Sequence, residues 1–249
     1  MSTLDSAMVN ILRNRLYVYD GIIDNLNDAL GMVDLSIDSL EVLNNVLLEL
    51  NNNVANISNP HTTDTSITNL RDNCTNLVNE FSGVVFHSRY NENKVIITQA
   101  TEEEPDKDNV DFNYALPGVN DEVGSSRDNF TFKPPQVGAV RLPTRAIKVT
   151  AEDGTEVKDA DGSEINFKLD NLSQDMANAE DISNAEIRHR AEQYIVVITE
   201  SIRDVNIELQ DQKANKRRLQ FRETNINNLK NSCLGNFKNR KDSVNTNYD

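Results

Sequence analysis

The sequence predicts an α+β fold that is mainly α. It consists of an elongated antiparallel three-helix bundle, two helices long and one short, with a β-hairpin-rich insert between the second and third helices. Three observations predict it. Apolar residues recur at helical spacing over the first 57 residues. A second stripe of the same kind runs through the last 60. The residues between alternate apolar and polar and carry Asp-Gly turns. The domain division follows: residues 1-96 and 181-249 form a discontinuous helical bundle, and residues 97-180 form the β-rich insert.

The first stripe is the strongest. Leu12, Leu16, Tyr19, Ile23, Leu26, Leu30, Val33, Ile37 and Leu40 follow in alternating steps of four and three. The register continues through Asn44, Leu47, Asn51 and Val54. Such spacing lines one face of a helix. A helix over residues 6–57 would be about 75 Å long at a rise of about 1.5 Å per residue. Ile22, Ala29, Leu43 and Leu50 widen the stripe, which calls for more than one partner helix. Gly21 and Gly31 mark bends or close packing, because glycine costs a helix about 1 kcal/mol relative to alanine.

Pro60 stops this helix inside the loop-like "NISNPHTTDTS" (56–66). A shorter helix follows, with Ile67, Leu70, Cys74, Leu77 and Phe81 on one face and N-capping oxygens offered by Asp64 to Ser66. Cys74 then reads as a small buried hydrophobe. The run "TEEEPDKDN" (101–109) is linker-like. "VDFNY" and "NFTFKPP" alternate as half-buried strands do. The stretch from Ala146 to Leu169 holds Asp-Gly pairs at 153–154 and 161–162, which read as hairpin turns. Asp159, Asp161, Gly162 and Glu164 lack the carboxylate spacing of a calcium loop.

The final helix spans about 182 to 245. Ile195, Ile198, Ile202, Val205 and Leu209 start its seam, and Leu219, Ile226, Cys233 and Phe237 extend it. Polar residues Gln212, Lys216, Glu223 and Lys230 interrupt the register. At about 1.5 Å per residue this helix could reach roughly 90 Å. Neither long helix can bury its stripe alone, so the two are expected to lie antiparallel. Ile226, Leu229, Cys233 and Phe237 would then pack near Leu12 to Ile23. Cys74 would lie far from Cys233, and no disulfide between them is expected.

The chain is acidic, with 40 Asp and Glu against 25 Lys and Arg, a net charge of −15. Such a balance disfavours nucleic acid and anionic membranes as partners. No run of about 18 apolar residues predicts a membrane span, and the first residues lack the pattern of a cleaved signal. His61, His87 and His189 lie on different elements without metal-ligand companions. No phosphate loop or nucleophile elbow occurs. No catalytic, cofactor-binding or metal residues are assigned, and an enzyme is not expected. Sequons begin at Asn56, Asn73, Asn129 and Asn171 and read as incidental. The basic cluster "KANKRRLQFR" (213–222) has two readings. It could bind nucleic acid with Phe221 stacking on a base. The favoured reading is a solvated face that pairs with Asp20, Asp24, Asp28, Asp34 and Asp38, or with a neighbouring subunit.

Four short motifs fall in order along the helical ends: "NDALGMVDLSIDSLEVLNN" (27–45), "NEF" (79–81), "YNENKVI" (90–96) and "INNL" (226–229). Together they resemble bacterial flagellin over residues 7–96 and 190–248. "NDALGMVDLSIDSLEVLNN" carries Asn27, Asp28, Leu40, Asn44 and Asn45 where that family has Asn-Asp-Gly and then a Leu before an Asn pair. "NEF" with Asn79 and Glu80, followed by "YNENKVI" with Asn91 and Lys94, is similar to the end of the second flagellin helix and its turn into a β region. "INNL" with Asn227 and Asn228, then Arg240 and Tyr248, resembles the last core helix.

The resemblance implies a non-enzymatic structural subunit whose helical rods pack side by side into an extracellular filament or appendage. It implies self-association, or association with other filament or virion subunits, and no nucleic acid or membrane insertion. The resemblance leaves the terminal segments that pair into a coiled coil in flagellin unmatched, as expected either of a core fragment or of a protein that assembles differently. The alternatives are therefore a virion or tail structural or attachment component with a flagellin-like core, or a hook–filament junction protein. The receptor-binding stretch of many flagellins has two arginines around a Val. "LLELN" stands there, with Glu49 and Asn51, so no strong receptor activation is expected.

Overall fold

The computed structural model describes residues 3–97, 107–113, 129–137, 172 and 184–245. The chain is mainly helical, with small antiparallel strand pairs. Helix α1 runs Thr3–Ser58, α2 runs Asp64–His87, and α3 runs Asn184–Asn245. Between α2 and α3 lie β1 (Arg89–Tyr90), β2 (Asn93–Lys94), β3 (Val110–Asn113) and β4 (Asn129–Phe132). The expected hairpins at 153–154 and 161–162, and the cluster from Asp159 to Glu164, fall outside the described residues.

The turn after α1 is built by proline and short polar side chains. Pro60 occupies the second position of a turn closed by Thr62 N–H donating to Asn59 O at 3.1 Å. His61 N–H donates to Asn59 Oδ1 at 3.0 Å, and Thr62 Oγ1 donates to Asn56 O at 2.6 Å. The cap of α2 falls one residue earlier than the sequence suggested. Thr63, in an extended conformation, accepts from Ser66 N–H. Asp64 to Ser66 already lie inside the helix, where an acidic Asp64 favours the N-terminal dipole.

β1 and β2 form a two-residue hairpin, pairing Arg89 with Lys94 and Tyr90 with Asn93. Its central residues, Asn91 (φ 46°) and Glu92 (φ 68°), are both left-handed, as a type I′ turn requires. β3 and β4 pair antiparallel from Val110↔Phe132 to Asn113↔Asn129. Within the alternating stretches, Val110–Asn113 and Asn129–Phe132 therefore form strands that meet each other.

The chain divides into two compact units. The first holds residues 1–34, 109–133 and 213–249. Its buried side chains include Leu26, Ala29 and Val33 of α1, Leu219 and Ile226 of α3, and Phe132 of β4. The Phe112 and Phe130 rings lie 6.3 Å apart across the strand pair. The second unit holds residues 35–108 and 134–212. All of α2 belongs to it. Its buried set includes Leu40, Leu43, Leu47 and Leu50 of α1, Ile67, Cys74 and Phe81 of α2, and Tyr194 and Ile198 of α3. The extended run Val95–Ile97 is buried there too, and Ile97 bridges Gln136 through bonds to Pro135 O and from Val137 N.

Gly21 is not a packing glycine. A methyl group there would meet nothing within 4 Å, and α1 runs through the position without a break.

Candidate interaction surface

The polar residues that interrupt the α3 seam are the first feature to explain. Within the first unit, Lys216 Nζ lies 2.8 Å from Asp34 Oδ1, and Lys230 Nζ lies 2.6 Å from Asp20 Oδ1. Further toward the end of α3, Cys233 Sγ lies 3.6 Å from Leu12 O. As residue numbers rise on α3 they fall on α1, so the two helices run antiparallel in this unit. The same order holds within the second unit. Asn206 Nδ2 donates to Asn44 Oδ1 at 3.1 Å, and Arg188 Nη2 donates to Thr62 O at 2.9 Å. The C-terminal end of α2 joins α1 where Ser88 Oγ and Ser39 Oγ are 2.9 Å apart.

Burial along α3 has a simple period. Ile198, Val205, Gln212, Leu219, Ile226 and Cys233 are buried, one every seven residues. The alternate positions are Ile202, Leu209, Lys216, Glu223, Lys230 and Phe237. Of these only Leu209 is buried; the lysines instead reach carboxylates on α1. An α-helix returns to nearly the same face after seven residues, so one buried line with a polar line beside it is a narrow seam.

The remaining seam residues sort by exposure. Leu12, Leu26, Val33, Ile37, Leu40, Leu47, Ile67, Cys74, Leu77 and Phe81 are buried. Leu16, Tyr19, Ile23, Leu30, Leu70, Ile195, Ile202 and Phe237 are half-buried. Leu229 departs from the expectation: it is 43% exposed. The reason is register, because Lys230 holds the seam position and Leu229 is rotated about 100° away from it.

The residues of the short motifs singled out in the sequence are mostly polar and outward. Asn27, Asn45, Asn79, Glu80 and Asn228 are exposed, and Asp28 is exposed yet engaged. Asn227 is half-buried. Asn44 accepts from Asn206, Asn91 forms the β1–β2 turn, and Lys94 pairs with Asp108 at 3.4 Å. Arg240 lines a cleft of about 510 Å³ with Met8, Leu12, Asn236 and Asn239. Tyr248 lies outside the described residues.

Both thiols are free and buried. Burial pushes the Cys74 thiol up to about 12. His61 and His87 are exposed, the latter edge-on to Phe86 at 5.1 Å. His189 does have a carboxylate companion, contrary to the sequence reading: Glu192, one turn on, lies 3.8 Å from Nδ1. A lone His–Glu contact is short of the ligand set that a metal site needs. Among the described residues no group of three or more His, Cys, Asp or Glu could hold a metal ion. Among them, too, no helix is long and apolar enough to cross a membrane.

What sequence reasoning missed are the rungs Asn44–Asn206, Ser39–Ser88 and Arg188–Thr62. Their signal is faint, since each is an ordinary polar residue until its partner is known. The lysine–aspartate rungs were partly legible, as basic residues at apolar positions facing an acidic helix.

Against this background the comparisons with known proteins are brief. No family model matches the chain, and no curated protein matches it.

Proposed function

We propose that this chain is a non-enzymatic, flagellin-like structural subunit that packs side by side with other copies in an extracellular filament or appendage. The reading includes an elongated antiparallel bundle of α1, α2 and α3, with residues 97–180 carried as an insert. One observation carries it: the polar rungs that join α3 to α1 and to the turn after α1 fall in opposed order within each compact unit. Two chain ends that pair in this way make a helical core, and the ordered motifs in α1, α2, the β1–β2 turn and α3 are those that resemble flagellin.

Sedimentation velocity over a concentration series, with negative-stain microscopy of the same samples, tests the reading. Ordered filaments or rings are expected. A monomer at every concentration would sink self-assembly. The second reading, a virion or tail component, is favoured by the net charge of −15, because like charge opposes unassisted self-packing and suits a basic partner. Export and motor genes beside the coding sequence would support the first reading; capsid or tail genes would support the second.

A further inference from the structure

The charge of this acidic chain is sharply segregated. Between Asp20 and Glu49, α1 carries seven carboxylates and no Lys or Arg. Between Lys213 and Lys241, α3 carries nine basic residues and one acidic residue, Glu223. The rungs Lys216–Asp34 and Lys230–Asp20 use part of either set, and Asp28, Glu41, Lys213, Arg222 and Arg240 are engaged as well.

What they leave outward is two patches of opposite sign, each with an exposed apolar group. On α3, Arg217 and Arg218 are exposed one turn before Phe221, itself 70% exposed. On α1, Asp38 and Glu49 are exposed and flank Val42, which is 42% exposed. Asp38, Val42, Asn45 and Glu49 follow at steps of four, three and four, so they share one helix face. That face is about 16 Å long at roughly 1.5 Å per residue. A solvated helix face gains nothing from an exposed phenylalanine. An aromatic group framed by arginines instead resembles the anchor of an interface.

We infer that the Arg217–Arg218–Phe221 face of one copy docks on the Asp38–Val42–Asn45–Glu49 face of a second copy. The inference rests on the self-packing reading above and names its contact. Charge complementarity selects the occupant: the chain itself supplies an acidic helix face with the exposed Val42 to receive Phe221. Two different patches make a head-to-tail contact, which repeats into a ring or an open polymer. Arginine over carboxylate fixes the partner, and the apolar groups supply affinity as they leave water.

The test places a photo-crosslinking benzoylphenylalanine at Phe221 in the full chain. Isotopically light and heavy copies are mixed so that links between copies are separated by mass. Links from position 221 to residues 38–49 of another copy are expected. Arg217→Glu with Arg218→Glu should weaken self-association by about tenfold or more, and a partner carrying Asp38→Arg and Glu49→Arg should restore it. All four sites are exposed, so circular dichroism should be unchanged. Ordered assemblies whose links fall elsewhere would overturn this contact and leave the filament reading standing. The expected links in pairs that never grow into ordered assemblies would support the contact and count against the filament. Links confined to one copy, or none, would overturn it. So would tight binding of a single-stranded oligonucleotide lost on Phe221→Ala, since the basic face would then serve nucleic acid.

Discussion

Glu92 holds a conformation that suits glycine. Its φ of 68° at the second centre of a type I′ turn brings Cβ against the backbone, a cost of about 1–2 kcal/mol for an L-residue. Glu92→Gly should therefore raise stability by up to about 1 kcal/mol, since glycine gives back part of the gain as unfolded-state entropy. Urea titration checks this, and a lower midpoint would contradict it. Cys74 yields a second prediction at this scale. Unfolded, its thiol ionises near 9.0; folded, burial holds the proton to about 12. Between those values the folded chain binds more protons, so this contribution is intact below about 9 and is lost as pH rises toward 12. Wild type should lose stability with alkalinity faster than Cys74→Ala. Equal slopes would show that the thiol ionises as easily folded as unfolded. Cys74 was legible from its step of four after Leu70. The left-handed turn was not, because Asn-Glu is a poor type I′ sequence and only the paired strands reveal it.

Along the elements, the polar positions of α3 make two different statements. Gln212 is buried at a seam position, and its Oε1 has no partner among the described residues. A buried unpaired carbonyl costs about 1–3 kcal/mol, so Gln212→Leu should stabilise the fold by about 1 kcal/mol after imperfect packing and raise the urea midpoint. A lower midpoint would mean that the amide is satisfied by ordered water. Lys230 and Asp20 are half-exposed partners at 2.6 Å. A double-mutant cycle over Lys230→Ala and Asp20→Ala should give about 0.2–1 kcal/mol of coupling that shrinks with salt. No coupling at low salt would remove this rung from the account. Such rungs add little stability. Their use is register, because a slip of one heptad would set Lys230 opposite a different residue.

For the whole molecule, three helices of 56, 24 and 62 residues dominate the described chain. Far-UV circular dichroism should show the helical double minimum, and a mainly strand spectrum would overturn the fold. The helices were legible because their signal is local. Heptad spacing, Pro60 and the scarcity of glycine act within a few residues of each other. The expected bounds of the two long helices, 6–57 and 182–245, came within about three residues of the observed ones. The strands at 110–113 and 129–132 were legible for the same reason, through alternation.

What the amino-acid order alone determined, then, is where helix begins and ends, which face is apolar, and that α3 is interrupted by lysines. Only the tertiary structure decided what those lysines meet, that Leu229 faces outward, and that Asn44 and Ser39 find partners 162 and 49 residues away. The physical reason is range. Helix propensity and periodicity are properties of neighbours in sequence, while a hydrogen bond between distant segments depends on register, which the chain sets only when the helices pack.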